Sequence, residues 1–261
     1  MKKILMGMVC LAAFACLAPN ADAGVIYMRS TVGPPWGETT NEQAMDAAFG
    51  VGGWDDLRYE TATPAAVFSA ANSFAFLEGG DNNANELEAF LVANLGTIEG
   101  WVAGGGSLFV NAAPNEGDGM SYGFGGVNLT NGDFSTDPVS AVNPAHPIFV
   151  GPNATLTSFD GSFFAHASVS GPGLTALMTD SLGKVHLAEK SFGMGHAIFG
   201  GMTTTNFHDP EAEALNLRTN LLIYGAGAAN QNPVVPEPTS FAVFGIAALG
   251  LVGGGRRRRK A

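Results

Sequence analysis

The side chains best suited to acid–base chemistry in this sequence are its five histidines, which are His146, His166, His186, His196 and His208. None belongs to a His-x-x-x-His pair or a comparable ligand spacing, so no metal site is predicted and most are expected to be hydrogen-bonded structural residues. His208 is the best candidate for catalysis, because Asp209 and Glu211 follow it closely. Asp209 is also explained as the cap of a helix beginning at Pro210, and that interpretation is favoured.

A polar run at Asp81, Asn82 and Asn83 offers the oxygen ligands that Ca²⁺ prefers, with Asn85 and Glu86 close behind. The run lacks the spacing and the glycine of an EF-hand loop, so a polar loop capping a helix is the favoured interpretation. The glycines at 104–106 follow a helical pattern instead of preceding one and have no lysine, which excludes a phosphate-binding loop. No cofactor is therefore predicted, and calcium stays open as the weaker alternative.

The elements that must position these side chains alternate between strands and helices. Short apolar runs predict strands at 25–29, 73–77, 107–110 and 197–199, and residues 115–172 read as loops with short strands. Helical spacing predicts helices from about 41 to 48, after Asn83, and from Pro210 to Gly225. This alternation predicts an α/β fold, a single flavodoxin-like domain at 24–232 with one parallel sheet and helices on both faces.

The first 23 residues have the parts of a secretory signal peptide. Lys2 and Lys3 supply a positive start, and residues 4–17 form an apolar run that would be a helix. A small-x-small site ends at Ala23, so signal peptidase is predicted to cut between Ala23 and Gly24 and to yield an exported chain.

The mature chain is acidic and free of cysteine. Cys10 and Cys16 both lie in the signal peptide, which excludes disulfides, thiolate catalysis and cysteine-ligated metals from the exported protein. Residues 24–232 contain 21 Asp and Glu against five Lys and Arg, a formal net charge of −16. Such a surface excludes nucleic acid as a partner and disfavours anionic membranes.

Segment 233–261 combines three features in order. Pro236, Glu237 and Pro238 form a rigid, extended motif, and the 16 residues at 240–255 carry no charge. A helix of that length covers ~24 Å of a ~30 Å hydrocarbon core, and the basic residues behind it can extend the span by snorkelling. The segment is therefore predicted to be a transmembrane helix with a cytoplasmic C-terminus. Its basic cluster consists of Arg256, Arg257, Arg258, Arg259 and Lys260.

This ending resembles the PEP-CTERM sorting signal of Gram-negative bacteria. The resemblance implies recognition by an exosortase, a membrane enzyme that cleaves near the motif and releases the protein from the inner membrane to the cell surface or the exopolysaccharide matrix. A permanent C-terminal anchor with a basic flank is the alternative.

Several stretches of the body resemble the class I glutamine amidotransferase-like superfamily, namely SFAFLEGG, GWVAGGGSLFVNAAP, HPIFVGP and FHDPEAEALNLRTNLLIYG. In that superfamily the nucleophile is a cysteine, but the matching turn near 111–113 holds Asn and Ala. His208 would match the catalytic histidine, with Asp209 inserted before Glu211. Gly79 and Gly80 would match the turn that supplies oxyanion-stabilising amides. The resemblance thus implies a triad without its nucleophile.

Two functions remain open for the domain. The favoured one is a non-catalytic surface or matrix protein that binds a ligand such as a glycan or packs against envelope components. The alternative is an extracellular hydrolase acting on carbohydrate through His208, Glu211 and Asp81, in a cleft at the carboxyl ends of the strands.

Overall fold

The computed structural model describes residues 23–228, which form two sheets. The nine-stranded sheet has the order β2-β1-β3-β4-β12-β11-β10-β7-β8, and a three-stranded sheet has the order β5-β6-β9. The strands are β1 Gly24–Arg29, β2 Asp55–Arg58, β3 Asn72–Glu78, β4 Ser107–Asn111, β5 Met120–Gly123, β6 Val127–Asn131, β7 Val139–Ala141, β8 Ser158–Phe159, β9 Ala167–Ser170, β10 Thr175–Thr179, β11 Val185–Phe192 and β12 Gly195–Gly200.

The prediction of a single parallel, flavodoxin-like sheet is wrong. Only β2, β1, β3, β4 and β12 pair in parallel. The sheet continues through β11, β10, β7 and β8 with antiparallel pairs, and the small sheet is antiparallel throughout. Antiparallel strands need no crossover helix between them, and β10, β11 and β12 follow one another through short turns. This part of the domain therefore lacks the strand–helix alternation of the parallel part.

Few helices accompany the two sheets. The α-helices are α1 Thr40–Phe49, α2 Pro64–Val67, α3 Ala84–Ala103, α4 Pro147–Val150 and α5 Glu211–Ala228, with 3-10 turns at Pro35–Gly37 and Thr205–Phe207. Among the described residues no helix is long and apolar enough to cross a membrane. The predicted signal helix and C-terminal transmembrane helix lie outside those residues.

The core has two layers, because successive side chains of a strand point to opposite faces. In β3, Ala75 and Leu77 pack beneath α3 and the small sheet, whereas Phe74 and Phe76 pack on the other face. The stripe of α5 that covers this second face includes the buried residues Ala214, Leu217 and Leu221. The parallel strands β3, β4 and β12 are thus buried on both sides, so a site accessible to ligands lies at the ends of these strands.

The register of the parallel strands defines two edges of the sheet. Phe74, Ser107 and His196 align at one end, which we call the amino edge, and Gly24 pairs with Asn72 at the same end. Glu78, Asn111 and Gly200 align at the other end, which we call the carboxyl edge.

The start of α5 corrects the predicted cap. The helix begins at Glu211, so Pro210 precedes it, and the Ala214 amide binds the Pro210 carbonyl at 3.1 Å. Asp209 instead pairs through its backbone with Asp160, at N–O distances of 2.7 and 3.1 Å. Backbone pairing with a distant loop, which local spacing does not reveal, sets where this helix starts.

Candidate functional site

Loops after β1, β3, β4 and β12 meet at the carboxyl edge, where α/β sheets usually bind ligands. Five ring residues gather there, and we call them the aromatic cluster. His166 lies at its centre, with ring centroids 5.5 Å from Trp36, 5.1 Å from Phe134 and 5.7 Å from Phe163. The fifth member, Phe207, lies 5.2 Å from Trp36. Phe134 and Phe163 are 45% and 54% exposed, so the cluster presents ring faces to solvent.

The backbone of this region is strained at three residues that are not glycine. Trp36, Asp81 and Phe163 have φ angles of 54°, 53° and 62°, in the left-handed region that side chains disfavour. Each such residue costs on the order of 1–3 kcal/mol, and such strain concentrates at functional sites. Two of the three residues carry rings of the aromatic cluster, which marks this edge as the candidate site.

Asp81 supports the cluster from behind. One carboxylate oxygen accepts the Trp36 backbone N–H at 3.0 Å, and the other accepts the Asn115 side-chain amide at 2.7 Å. These contacts occupy both oxygens in holding two loops. Within residues 23–228 no group of three or more His, Cys, Asp or Glu has an arrangement that could hold a metal ion.

A pocket of about 610 Å³ adjoins the aromatic cluster through Phe207. Its walls include His208 and Glu211, two of the three residues proposed for hydrolysis. Asp81 is not among them. The remaining wall residues are Gly161, Ser162, Asn206 and Asp209.

His208 is buried and its Nε2 atom is bonded inside the fold. Nε2 lies 3.0 Å from the Phe164 carbonyl and 3.0 Å from the Thr203 hydroxyl, and the ring stacks on Phe164 at 4.0 Å. A carbonyl only accepts, so Nε2 carries the hydrogen. Burial, together with the nearby Arg218 cation, lowers the pKa of His208 to about 3. His208 is therefore neutral near pH 7, and it holds Phe164 next to the strained Phe163.

The turn matching the nucleophile position is also bonded internally. The Asn111 side chain donates to the Met202 carbonyl at 2.8 Å and accepts from the Met202 amide at 3.1 Å. Ala112 and Ala113 are fully buried. In the opposite turn the Gly79 amide donates to the Asn111 carbonyl at 2.8 Å, and the Gly80 amide donates to the Glu78 carboxylate at 2.6 Å. Both glycine amides are therefore bonded inside the fold, and neither is free to stabilise an oxyanion.

A buried acid and a buried base lie beneath these turns, and sequence reasoning missed both. Glu78 accepts from the Asn41 side chain at 2.6 Å, and burial raises its pKa to about 7 despite the Arg218 cation. The Arg218 guanidinium donates to the Thr203 carbonyl at 2.9 Å and lies 5.7 Å from the Phe109 ring centroid. The sequence does contain one signal for this pair, because Arg218 is a charged residue within the apolar stripe of the last helix.

A second missed group lies on the α5 side, near the amino edge. The Glu189 carboxylate accepts from Tyr224 at 2.8 Å and from His196 Nε2 at 3.0 Å, and His146 Nε2 lies 3.4 Å from it. Burial alone would raise the pKa of Glu189, but the bonds from His146, His196 and Tyr224 hold it well below its usual range. The group links α4, β11, β12 and α5, and no sequence spacing could reveal it.

The remaining predicted residues are His186, the signal cleavage site and the C-terminal sorting segment. His186 is buried, with Nδ1 2.8 Å from the Ala167 carbonyl. Ala23 is the first described residue, and Gly24 begins β1. The motif residues Pro236, Glu237 and Pro238 and the basic cluster 256–260 lie outside the described residues.

Comparison with known families identifies one segment of the chain. Residues 234–260 match the PEP-CTERM protein-sorting motif, which confirms the resemblance of the C-terminal segment to that sorting signal. The motif supports an exported protein that an exosortase processes at the membrane. It covers none of the described domain.

No curated protein matches this chain. Among solved structures, a beta-galactosidase from Rahnella sp. R3 is similar at 13% identity and TM-score 0.45, over 81% of this chain and 32% of that one. A putative GMP synthase protein from Thermoplasma acidophilum has 12% identity and TM-score 0.49, over 77% and 95% of the two chains. A glutamine amidotransferase from Thermotoga maritima has 14% identity and TM-score 0.43, over 78% and 90%. The chain thus spans about a third of the beta-galactosidase, and likeness this distant assigns no activity.

Proposed function

We propose that this protein is processed by an exosortase after export and that its domain binds extracellular carbohydrate at the aromatic cluster without transforming it. The carrying observation is the cluster itself, with two exposed phenylalanines at the carboxyl edge, one of which, Phe163, has a strained backbone. Aromatic faces pack against the apolar C–H faces of sugar rings, and the polar groups around them can bond hydroxyls. Side chains placed to do so are those of Ser162 and Asn206 in the adjoining pocket.

Charge favours a neutral polysaccharide. The domain carries a formal net charge of −16, and Asp209 and Glu211 are exposed beside the pocket. The base at the cluster is Lys184, whose ammonium donates to the Phe134 carbonyl at 3.4 Å and pairs with Asp133. Arg218 is buried. Uronic acid or sulfated chains would therefore meet repulsion from the two exposed carboxylates, and the one cation at the cluster is already paired.

Three features argue against the hydrolase alternative. The His208 Nε2 atom is committed to the Phe164 carbonyl, and the pKa of His208 is about 3. Asp81 does not line the pocket, and both of its carboxylate oxygens are bonded inside the fold. Hydrolysis would need a general base, but the side chains of His208 and Asp81 are already bonded inside the fold.

Binding is tested with the protein recovered from the host surface, titrated calorimetrically with neutral and acidic polysaccharides. Phe163→Ala should weaken binding of a neutral polysaccharide about tenfold, because the sugar ring loses its aromatic partner at a cost of ~1.5 kcal/mol. Val92→Ala is the matched control, since Val92 is 77% exposed on α3, away from the site. Equal loss in both variants, or no binding of any neutral polysaccharide, contradicts the proposal. Release of new reducing ends would instead support the hydrolase.

Processing is tested by mass spectrometry of surface material. We expect a chain that begins at Gly24 and lacks the residues beyond Pro236, Glu237 and Pro238. Detection of only a full-length, membrane-bound form would favour the permanent anchor.

A further inference from the structure

Both ends of the described domain leave from the amino edge. The strand β1 begins there at Gly24, whose amide binds the Ala71 carbonyl just before β3. The helix α5 starts at the carboxyl edge and runs back across the sheet. Near its end the Gly225 carbonyl accepts the hydroxyl of Ser107, the first residue of β4, at 2.6 Å. The chain that leads to the sorting motif therefore departs from the edge opposite the aromatic cluster.

The lengths of the helix and of the connecting chain restrict how a tethered domain can turn. The 18 residues of α5 extend ~27 Å, and Phe207 lies beyond its first turn. Twelve residue steps separate Ala228 from Ser240, where the uncharged run begins, and they span at most ~43 Å when fully extended. To bring the aromatic cluster to the bilayer, this chain would have to run back along the whole length of α5, which takes more than half of its full extension. Such an arrangement carries a loss of chain entropy.

The charge distribution favours the same orientation. Residues 61–77, 100–107 and 190–200, which supply most of the amino edge, contain no Asp or Glu. Acidic residues near this end include Asp46, which binds the Trp54 indole at 2.9 Å, and Asp55, which begins β2. Two more, Glu99 and Glu189, are partly buried and bonded inside the fold, Glu99 to the Phe124 amide and Glu189 to His196 and Tyr224. The rest of the edge can approach anionic lipid headgroups without the repulsion that the acid-rich loops at the other edge would meet.

The amino edge also presents apolar groups suited to a membrane surface. Met194, in the turn between β11 and β12, is 62% exposed. A pocket of about 510 Å³ opens at the same edge, lined by Phe68, Trp101 and the neighbouring glycines. Tryptophan is enriched where proteins meet the headgroup region, because its ring is apolar with one polar N–H.

We propose that, while the sorting segment holds the protein in the membrane, the amino edge faces the bilayer and the aromatic cluster points away from it. The tethered protein then presents its binding site to polysaccharide before the exosortase releases it. This inference rests on the membrane tether in the proposed function.

The orientation is measurable because the mature chain has no cysteine of its own. Ala70→Cys places a single thiol at the exposed amino edge, and Ser162→Cys places one at the exposed carboxyl edge. Each variant is purified as the tethered chain from a host without exosortase, labelled with a donor dye, and reconstituted into phosphatidylethanolamine–phosphatidylglycerol vesicles with acceptor-labelled headgroups. We expect clearly stronger energy transfer from position 70 than from position 162.

The possible results separate two failures. Equal transfer from both positions, or stronger transfer from position 162, overturns the orientation while leaving the tether intact. If neither variant associates with vesicles, the tether itself is wrong and the orientation fails with it. A third label at Val92→Cys, on the exposed side of α3, should give an intermediate signal if the domain stands upright on the membrane.

Discussion

Replacing Glu78 by glutamine should change how the stability of the domain depends on pH. In the folded protein, burial raises the pKa of Glu78 from its ordinary 4.5 to about 7. A group whose pKa is raised by folding binds more protons in the folded state between those two values. Its contribution to stability is therefore fully present below pH 4.5 and is lost as the pH rises through 7.

The expected magnitude follows from that difference in pKa. Over the whole pH range, the difference in pKa lowers the free energy of unfolding by ~3 kcal/mol. Between pH 5 and pH 8 the decrease is about 2–3 kcal/mol. Glutamine has the same shape and does not titrate, but it offers one oxygen to the two donors, Asn41 and Gly80, that Glu78 now binds. The lost bond costs about 1 kcal/mol at every pH. Relative to the wild type, Glu78→Gln should therefore gain about 2–3 kcal/mol between pH 5 and pH 8.

Urea unfolding followed by tryptophan fluorescence measures this directly, since Trp36, Trp54 and Trp101 all lie in the domain. The difference between the two proteins isolates Glu78, because Arg218, Glu42 and every other titrating group remain in both. Glu211→Gln makes the same change at an exposed carboxylate and is the control for the substitution itself. If the difference for Glu78→Gln is also constant from pH 5 to pH 8, Glu78 is not the buried proton-binding group described above.

Two further variants test other buried positions. His208→Gln keeps an N–H for the Phe164 carbonyl but does not titrate. The wild type should lose stability as the pH falls from 6.5 toward 3, by about 2 kcal/mol at pH 5, because folding lowers the pKa of His208. The variant should not show this loss. Urea unfolding at pH 7 and pH 5 checks this, and an equal acid loss in both proteins would contradict it. Gly225→Ala should destabilise the domain by about 1–3 kcal/mol, because the new Cβ would lie 2.7 Å from the Phe74 ring. Gly227→Ala, with open space around it, should be neutral or slightly stabilising, and similar losses in both would refute the packing argument.

The sequence was informative for the parallel half of the fold because burial on both faces produces unbroken apolar runs. The runs at 73–77 and 107–110 lie within the observed strands β3 and β4. The antiparallel half was not recognised as part of the same sheet. Strands such as β6, with two exposed residues in alternation, are short and polar on one side, and their partners are set by tertiary pairing.

Gly225 shows how a local rule fails for a packing reason. Glycine near the end of an apolar stripe predicts the end of a helix. In the structure α5 continues to Ala228, and Gly225 instead makes room for the Phe74 ring and brings its carbonyl to Ser107. Glycine did mark a position with a special requirement, but that requirement comes from Phe74 in β3, which is far away in the sequence.

The candidate site was only partly accessible to sequence reasoning. His208 and Glu211 do line one pocket, as their proximity in the chain suggests. The aromatic cluster was missed because its rings come from separate loops, from Trp36 to Phe207, and share no period. A positive φ at Trp36 or Phe163 is equally invisible, since neither residue type favours it.

At the carboxyl edge the polar residues stabilise the fold, whereas the exposed aromatic residues are available for ligand contact. The polar groups that the sequence singled out for catalysis are bonded inward: the Gly80 amide to Glu78, the Asn111 side chain to Met202, and His208 to Phe164. The rings of Phe134 and Phe163 face outward. Stability and ligand contact therefore depend on different side chains. Substitutions of the exposed rings should weaken binding with little loss of stability, whereas truncations of the inward polar groups should destabilise the domain before they reveal any chemistry.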